Sequence, residues 1–351
     1  MSLGVIAIIV IGYYIYLLFI PITILFSIFF CSLYQIKRFI YNGKFKFKTK
    51  IQRNGYGSLY NSLYINDNKS LVKKETFHLT GIKKLANEMN FYKFIIMNDI
   101  KINIPKIFYY STNFYIMNYI NHRKIVADDY NDIIMELKKL HSFKSIDVNK
   151  DYYKQLLFEE TIIKIKDRYK EIAEIIEDFN KKNKITHINN IKILSFNKII
   201  ELLENSLINH VDNLNKYQLQ VIHGDPQFNN ICINEEKEII FIDPKGCFGS
   251  SKIYGIKEYD IAKVFFAMSG YSYFDDLNIQ NLNIQNLDNI NFIKIPDFTI
   301  FNDYDISLII LLFISIWLSN PHAFINDPIK MIYSYYISLY ISSCLLSVYN
   351  H

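Results

Sequence analysis

Two stretches of the chain carry most of its information about chemistry: Val221-Ile-His-Gly-Asp-Pro-Gln-Phe-Asn-Asn230 and Ile239-Ile-Phe-Ile-Asp-Pro-Lys-Gly246. The first places the carboxylate of Asp225 five positions before the amide of Asn230, and the second places Asp243 at the end of an apolar run. Transfer of a phosphoryl group depends on positioning and charge neutralisation more than on covalent chemistry. A carboxylate that orients a hydroxyl, with an amide and a carboxylate that hold a metal ion, supplies most of what this reaction needs.

Each of these residues also has a purely structural explanation. Asp225 and Asp243 both precede proline, and Asp-Pro is a common turn dipeptide. Asn230 lies directly before a short apolar stretch, so it could simply mark the start of a strand. The combination is more specific than its parts, because His-Gly-Asp, an Asn five residues later and a hairpin leading to Ile-Asp follow one another in a single order.

This order resembles the aminoglycoside phosphotransferase and choline kinase-like family, the small-molecule branch of the protein-kinase-like superfamily. His-Gly-Asp in place of His-Arg-Asp favours that branch over protein kinases, as does the lack of an Ala-Pro-Glu string after Asp243. The string Ile-Asp-Pro-Lys-Gly is similar to the Ile-Asp-Pro-Arg-Gly of a bacterial and viral subgroup often associated with surface polysaccharide genes. Choline kinases follow that aspartate with an aromatic and an acidic residue, so the chain departs from them. The resemblance covers residues 44–351.

The resemblance implies an α+β, bilobal protein-kinase-like fold, with an antiparallel-sheet N-lobe that carries one helix and a mainly helical C-lobe. In this chain, an apolar N-terminal helix is expected to precede the N-lobe. The implied division is a hydrophobic segment at residues 1–40, a nucleotide-binding N-lobe at residues 41–121, and a C-lobe with the catalytic loop, metal site and acceptor site at residues 122–351. ATP and Mg²⁺ are the implied cofactors, with GTP left open as an alternative donor.

The same resemblance implies roles for five residues of the C-lobe. Asp225 is expected to be catalytic, and Asn230 and Asp243 are expected to be metal ligands. His223 and Asp260 are expected to support the catalytic loop rather than to take part in the reaction.

On the nucleotide side, the family has a lysine on the third strand that contacts phosphates and a helix glutamate that pairs with it. Lys73 fits the lysine position best, and Lys74 is the alternative, because a shift of one residue moves a side chain to the other face of a strand. Glu88 is the expected partner of this lysine. The alternative is that Glu88 is a charged residue on the exposed face of its helix. Met117 and Tyr119 are expected to lie near the adenine.

Residue periodicity predicts the elements between these motifs. Alternating polar and apolar residues predict a meander of strands at residues 44–51, 59–65 and 70–75, with a two-glycine turn at residues 54–58 that could close over phosphates. Further strands are predicted at residues 108–110 and 114–120. Helices are predicted at residues 82–96, 133–140, 159–180, 191–214, 260–268, 306–317 and 329–348. The last two are predicted to be core helices of the C-lobe, with a second membrane contact as the alternative.

The N-terminus predicts a membrane anchor. No charged residue occurs from Leu3 to Ile36, and a span needs about 20 apolar residues, so one tilted or Pro-kinked helix fits. By the positive-inside rule, the basic residues at 37–50 predict that the remainder of the chain is cytoplasmic. The alternatives are a buried hydrophobic helix or an upstream extension that is poorly translated.

Composition narrows the classes of function. Half of the 351 residues are hydrophobic, which allows a large core in two lobes. The net charge is +5, and its excess within residues 37–50 indicates a membrane flank rather than a nucleic-acid site. The four cysteines form no CxxC pair, which argues against disulfides or zinc and favours a reducing compartment.

These observations predict a membrane-tethered kinase that faces the cytoplasm and phosphorylates a hydroxyl of a sugar, an amino alcohol or a surface-polysaccharide precursor. The expected partners are a nucleotide, a small-molecule acceptor and the membrane, with no nucleic acid. The competing hypotheses are a catalytically silent kinase-like binding module and a protein kinase. The complete set of metal and base residues argues against the silent module.

Overall fold

The chain is described here by a computed structural model that covers residues 46–51, 60–272, 274, 290–300 and 303–349. The predicted anchor at residues 1–40 and the predicted glycine turn at residues 54–58 lie outside the described residues. Within them, the predicted α+β architecture is confirmed, because an antiparallel sheet with one helix is followed by a mainly helical part.

The N-lobe is built on a five-stranded antiparallel sheet with the strand order β1-β2-β3-β5-β4. Its strands are β1 (Phe47–Ile51), β2 (Ser62–Asn66), β3 (Leu71–Glu75), β4 (Ile107–Tyr110) and β5 (Phe114–Asn118). The helix α1 (Leu79–Met97) connects β3 with β4 and buries Leu85, Met89 and Tyr92 against one face of the sheet. It begins three residues earlier than predicted, because the ring of His78 accepts a hydrogen bond from the backbone N–H of Thr80.

The C-lobe is mainly helical. Its helices are α2 (Tyr130–His141), α3 (Lys150–Phe158), α4 (Lys164–Lys182), α5 (Phe196–Asn213), α6 (Lys257–Phe266), α7 (Ile306–Ser319) and α8 (Pro328–Tyr349). Short strands complete it: β6 (Ser145–Asp147), β7 (His187–Ile188), β8 (Ile191–Lys192), β9 (Gln218–Val221), β10 (Ile231–Ile233), β11 (Ile239–Phe241) and β12 (Tyr254–Gly255).

Two predicted helices of the C-lobe start furthest from the observed positions. The helix predicted at residues 159–180 starts earlier, because α3 continues into α4 through the π-helical turn Glu159–Ile163. The helix predicted at residues 191–214 starts later. Its first residues pair as a strand in β8, and α5 begins only after Ser195, whose hydroxyl accepts a hydrogen bond from the N–H of Lys198 at 3.3 Å.

The helices α7 and α8 lie in the core of the C-lobe, as predicted. Trp317 and Phe313 of α7 are fully buried, and α7 packs against α6 and α8. The segment Ile306–Phe324 is apolar and long enough to cross a membrane, but most of it is buried inside the protein. Burial on all sides explains why this helix is apolar on all sides.

The hairpin of β10 and β11 is joined to both lobes. The N–H of Phe241 donates to the carbonyl of Asn103 at 3.0 Å, and the N–H of Arg123 donates to the carbonyl of Ile233 at 3.1 Å. Asn103 precedes β4 of the N-lobe, and Arg123 belongs to the connection that follows β5. These bonds hold the hairpin, and the residues at its base, at the junction of the lobes.

Candidate active site

The loop that follows β9 is held by Asp260 of α6. The carboxylate of Asp260 accepts hydrogen bonds from the N–H of His223 at 2.8 Å and from the N–H of Gly224 at 2.7 Å. Its Oδ2 also lies 3.1 Å from Nε2 of His141 at the end of α2. Asp260 is fully buried, and it satisfies two backbone donors that would otherwise be costly to bury. This is the geometry of the supporting role predicted for it.

His223 is fully buried beneath the same loop. Its Nε2 lies 3.1 Å from the carbonyl oxygen of Ile242, and its Nδ1 accepts a hydrogen bond from the N–H of Asp225 at 3.3 Å. Burial lowers the pKa of His223 below its ordinary value, despite the nearby carboxylates of Asp260 and Asp225. A neutral ring with both nitrogens engaged joins two backbone segments, which matches a supporting residue better than a base.

Asp225 lies at the tip of this loop, and its side chain keeps 28% of its surface accessible. Asn230 donates from Nδ2 to the backbone oxygen of Asp225 at 2.9 Å and to Oδ2 at 3.0 Å. Burial by itself would raise the pKa of Asp225. The ammonium group of Lys263, 2.9 Å from Oδ1, opposes burial through its charge and its hydrogen bond, and together with the weaker effect of Lys164 it brings the pKa below its ordinary value. Asp225 is therefore a carboxylate able to accept a hydrogen bond from a hydroxyl.

Lys263 was not among the residues singled out from sequence. It lies three residues after Asp260 on α6, and residues at this spacing share a helix face. Since Asp260 faces the catalytic loop, the spacing could have indicated that Lys263 reaches the same loop one turn further along.

Asn230 and Asp243 come together at the base of the hairpin. The N–H of Ile242, next to Asp243, donates to the carbonyl of Asn230 at 2.9 Å. Because Nδ2 of Asn230 is engaged by Asp225, its amide oxygen is the atom suited to a cation. Asp243 adds a carboxylate, and oxygen ligands of these two kinds are those that Mg²⁺ prefers. The donor set therefore fits the predicted Mg²⁺ site.

Asp243 has a backbone φ of +55°, in the left-handed region that side chains rarely adopt. Its N–H donates to the hydroxyl of Tyr92 on α1 at 3.1 Å. Its Oδ1 lies 3.1 Å from Nζ of Lys74 on β3. Two contacts from the N-lobe thus hold a strained residue of the C-lobe in place, as is common at functional sites.

The lysine that pairs with Glu88 is Lys74, so the predicted pairing of Lys73 with Glu88 is wrong. Nζ of Lys74 lies 2.8 Å and 2.9 Å from the two carboxylate oxygens of Glu88. Lys73 points to the opposite face of the sheet, where its Nζ lies 3.1 Å from Glu75 and 5.0 Å from the ring centroid of Tyr64. The physical reason is the alternation of side chains along a strand, which places only every second residue toward α1.

Glu88 is buried, and the hydroxyl of Tyr115 donates to its Oε2 at 2.7 Å. Burial raises the pKa of Glu88, an effect that Lys74 opposes and Asp243 reinforces. Lys74 consequently stands between two carboxylates of different lobes. Its ammonium group is held by ion pairs with both of them.

The two residues predicted to lie near the adenine are in and just after β5. Met117 is buried opposite Val72 of β3. The N–H of Tyr119 donates to the carbonyl of Ser70 at 2.8 Å, which ties the start of the inter-lobe connection to β3. Their contact with a base stays a prediction.

The described elements, in this order, form the same fold as a solved choline kinase structure. The chain is similar in structure to choline kinase LicA from Streptococcus pneumoniae, with 12% identity, 89% of this chain and 99% of that chain covered, and a TM-score of 0.51. A putative fructosamine-3-kinase from Haemophilus somnus 129PT matches with 13% identity, coverage of 84% and 91%, and a TM-score of 0.48. The ADP-bound aminoglycoside phosphotransferase APH(2'')-Ib matches with 20% identity, coverage of 66% and 75%, and a TM-score of 0.43. No family model and no curated protein matches the chain.

Proposed function

We propose that the protein is an ATP-dependent phosphotransferase that acts on a hydroxyl of a small molecule, such as a sugar, an amino alcohol or a surface-polysaccharide precursor. The observation that carries the proposal is the position of Asp225. Its carboxylate is partly accessible, paired with Lys263 and held by Asn230, next to a hairpin that brings Asp243 against Lys74. The proposed base, metal ligands and phosphate-binding cation are therefore connected through direct contacts around one hairpin.

In the proposed reaction, the acceptor oxygen bonds to the γ-phosphorus of ATP as the bond from that phosphorus to the β,γ-bridging oxygen breaks. ADP is the leaving group and takes that electron pair, and the proton of the acceptor hydroxyl passes to the carboxylate of Asp225. Lys74, oriented by Glu88, would bind the nucleotide phosphates. Mg²⁺ held by Asn230 and Asp243 would neutralise negative charge on the phosphates.

The direct test replaces Asp225 by Asn and measures ADP release and formation of the phosphorylated product. The acceptor panel would hold neutral, acidic and amino sugars with ethanolamine and choline. For any acceptor that the unmodified protein uses, we expect Asp225→Asn to lower kcat by about 100-fold or more, with little change in affinity for ATP. Asp151→Asn, an exposed aspartate on α3, is the matched control and should retain full activity. Full turnover by Asp225→Asn would exclude this mechanism.

A catalytically silent binding module would give a different result. Such a protein would bind ATP with Mg²⁺, measured by calorimetry, yet release no ADP with any acceptor and show no change on Asp225→Asn. The two outcomes separate a binding function from an enzymatic one.

Attachment to a membrane through residues 1–40 is a further part of the proposal, supported by the uncharged stretch from Leu3 to Ile36. Replacing Val10 and Leu17 by Arg in the full chain places two charges within the predicted span, which is costly in hydrocarbon. We expect the variant to move from the membrane fraction to the supernatant. Unchanged sedimentation with membranes would argue against the anchor.

A further inference from the structure

Three lysines converge on the ring of Tyr259, beside the proposed catalytic carboxylate. The ammonium nitrogens of Lys164, Lys245 and Lys263 lie 5.8, 5.6 and 5.8 Å from the ring centroid. They come from three different elements, namely the start of α4, the loop after β11, and α6. We call these three residues the basic cluster.

Two carboxylates form ion pairs with the lysines of the basic cluster. Lys164 and Lys245 both form ion pairs with Glu160, which also accepts a hydrogen bond from the hydroxyl of Tyr259 at 2.7 Å. Lys263 pairs with Asp225 at 2.9 Å. Three positive charges are therefore matched by two negative charges, and one of those belongs to the residue proposed to receive the acceptor proton.

Further positive charge surrounds the cluster. Arg168 lies one turn after Lys164 on α4. Burial lowers the pKa of Lys164 well below its ordinary value, and the charges of Lys245, Arg168 and Lys263 lower it further, against the opposing effect of Glu160. The pKa of Lys84 on α1 is likewise lowered, first by burial and then by the charge of Arg168. Mutual repulsion of this kind is relieved when an anion binds.

The lysines of the basic cluster remain accessible to such an anion. Their side chains keep 19%, 27% and 16% of their surface exposed, for Lys164, Lys245 and Lys263 respectively. Lys263 links the cluster to Asp225 directly. A molecule whose hydroxyl lies at Asp225 would therefore place its neighbouring groups within reach of these ammonium groups.

We infer that the acceptor is an acidic hydroxyl compound, whose carboxylate, sulfate or phosphate group binds Lys164 and Lys245 while its hydroxyl lies at Asp225. This inference rests on the proposed function and narrows its acceptor class. Amino sugars and amino alcohols are disfavoured, because an ammonium group at this place would be repelled.

The first test compares acceptors that share a carbon skeleton and differ in charge. D-glucose, D-glucosamine, D-glucuronate and D-glucose 6-phosphate form one set, and glycerol, 3-amino-1,2-propanediol and D-glycerate form another. With the full chain, ATP and Mg²⁺, we expect kcat/KM to be about tenfold or more higher for an acidic member than for the neutral and amino members of its set. The carboxylate and phosphate members separate the two kinds of anion. Equal or better turnover of a neutral or amino member would overturn the inference and leave the kinase function intact.

The second test measures binding rather than turnover. Calorimetric titrations of D-glucuronate, D-glucose 6-phosphate and D-glucose would use the full chain with Mg²⁺ and a non-hydrolysable ATP analogue, which occupies the phosphate-donor site. We expect the acidic probes to bind about tenfold or more tightly than D-glucose. If they do so while no acceptor supports ADP release, the anion site stands and the catalytic proposal fails. Equal affinity of all three probes would overturn the anion site.

Variants of Lys245 test whether the basic cluster is responsible for the preference for acidic acceptors. Lys245→Gln removes one charge and leaves Glu160 with Lys164 and Tyr259 as partners, so folding should be preserved. We expect it to weaken binding of the acidic probe about tenfold and to raise the KM of the acidic acceptor, with the KM of ATP unchanged. Lys245→Arg should restore binding, and Lys170→Gln, an exposed lysine on α4, should have no effect. A rise in the KM of ATP alone would mean that the cluster contacts the donor, and it would overturn the inference.

Discussion

Lys74 of the N-lobe lies 3.1 Å from the carboxylate of Asp243 in the C-lobe. The same ammonium group is 2.8 Å from Glu88 on α1. One cation therefore connects the sheet of the N-lobe, the helix α1 and Asp243 of the C-lobe. Because all three side chains are largely buried, each depends on the others to offset the cost of burying its charge.

Lys74→Met should abolish this connection and the proposed phosphate contact. We expect the affinity for ATP to fall and kcat/KM for ATP to drop by about 100-fold, since a charge-assisted contact and the orientation of Asp243 are lost together. Calorimetry for ATP binding and an ADP-release assay would measure both effects.

The ion pair of Lys73 and Glu75, on the opposite face of the sheet, provides a control for Lys74→Met. Lys73→Met combined with Glu75→Gln removes both charges of a buried ion pair, so neither is left without its partner. This double variant should keep its affinity for ATP. If it lost as much affinity as Lys74→Met, the assignment of Lys74 would be wrong.

Asp260→Ala would leave the backbone N–H groups of His223 and Gly224 without their acceptor. Both groups are buried, so we expect the free energy of unfolding to fall by about 3 kcal/mol and kcat to fall because the catalytic loop is no longer held. Urea denaturation and the ADP-release assay would test this. Unchanged stability would show that the loop is held by other contacts.

Gly246→Ala should disturb the contact between the lobes. Gly246 has a φ of +63°, and a Cβ atom there would lie 2.3 Å from the carbonyl oxygen of Asn87 on α1. The backbone of α1 or the loop would have to shift, so we expect lower thermal stability and lower kcat/KM. Cys247→Ala, one residue further along the same loop, is the control. Wild-type behaviour of Gly246→Ala would mean that the lobes separate easily at this point.

The pair of Arg123 and Asp129 makes stability dependent on pH. Arg123 donates to both carboxylate oxygens, at 2.7 and 2.6 Å, and these bonds, more than the nearby charge, lower the pKa of Asp129. A carboxyl group whose pKa is lowered on folding stabilises the fold above its unfolded pKa, about 4, and loses that contribution as the pH falls through its folded pKa. Asp129→Asn should therefore lower the urea midpoint at pH 7, and the difference from wild type should shrink below pH 4. A difference that stays constant with pH would contradict this assignment.

The sequence could predict the catalytic loop because its residues are neighbours in the chain. His223, Asp225 and Asn230 lie within eight positions, and a short loop followed by a hairpin restricts where their side chains can point. The helices were also predictable where hydrophobic periodicity was strong, as in α2, and where a long apolar run favoured a core helix, as in α7 and α8. Boundaries set by a capping residue, such as Ser195 before α5, were missed because a cap overrides periodicity over only a few residues.

The choice between Lys73 and Lys74 lay beyond the sequence, because both have the same chemistry and only the register of β3 against β2 and β5 decides which one faces α1. The basic cluster could not be predicted from the sequence for a second reason. Its three lysines lie far apart in the chain, and they meet only when α4, α6 and the loop after β11 pack around Tyr259. Sequence by itself thus determined the local geometry of the loop at residues 223–230, because bonded neighbours restrict each other's geometry. The tertiary structure decided which cations surround that loop, because contacts between distant residues depend on how whole elements pack.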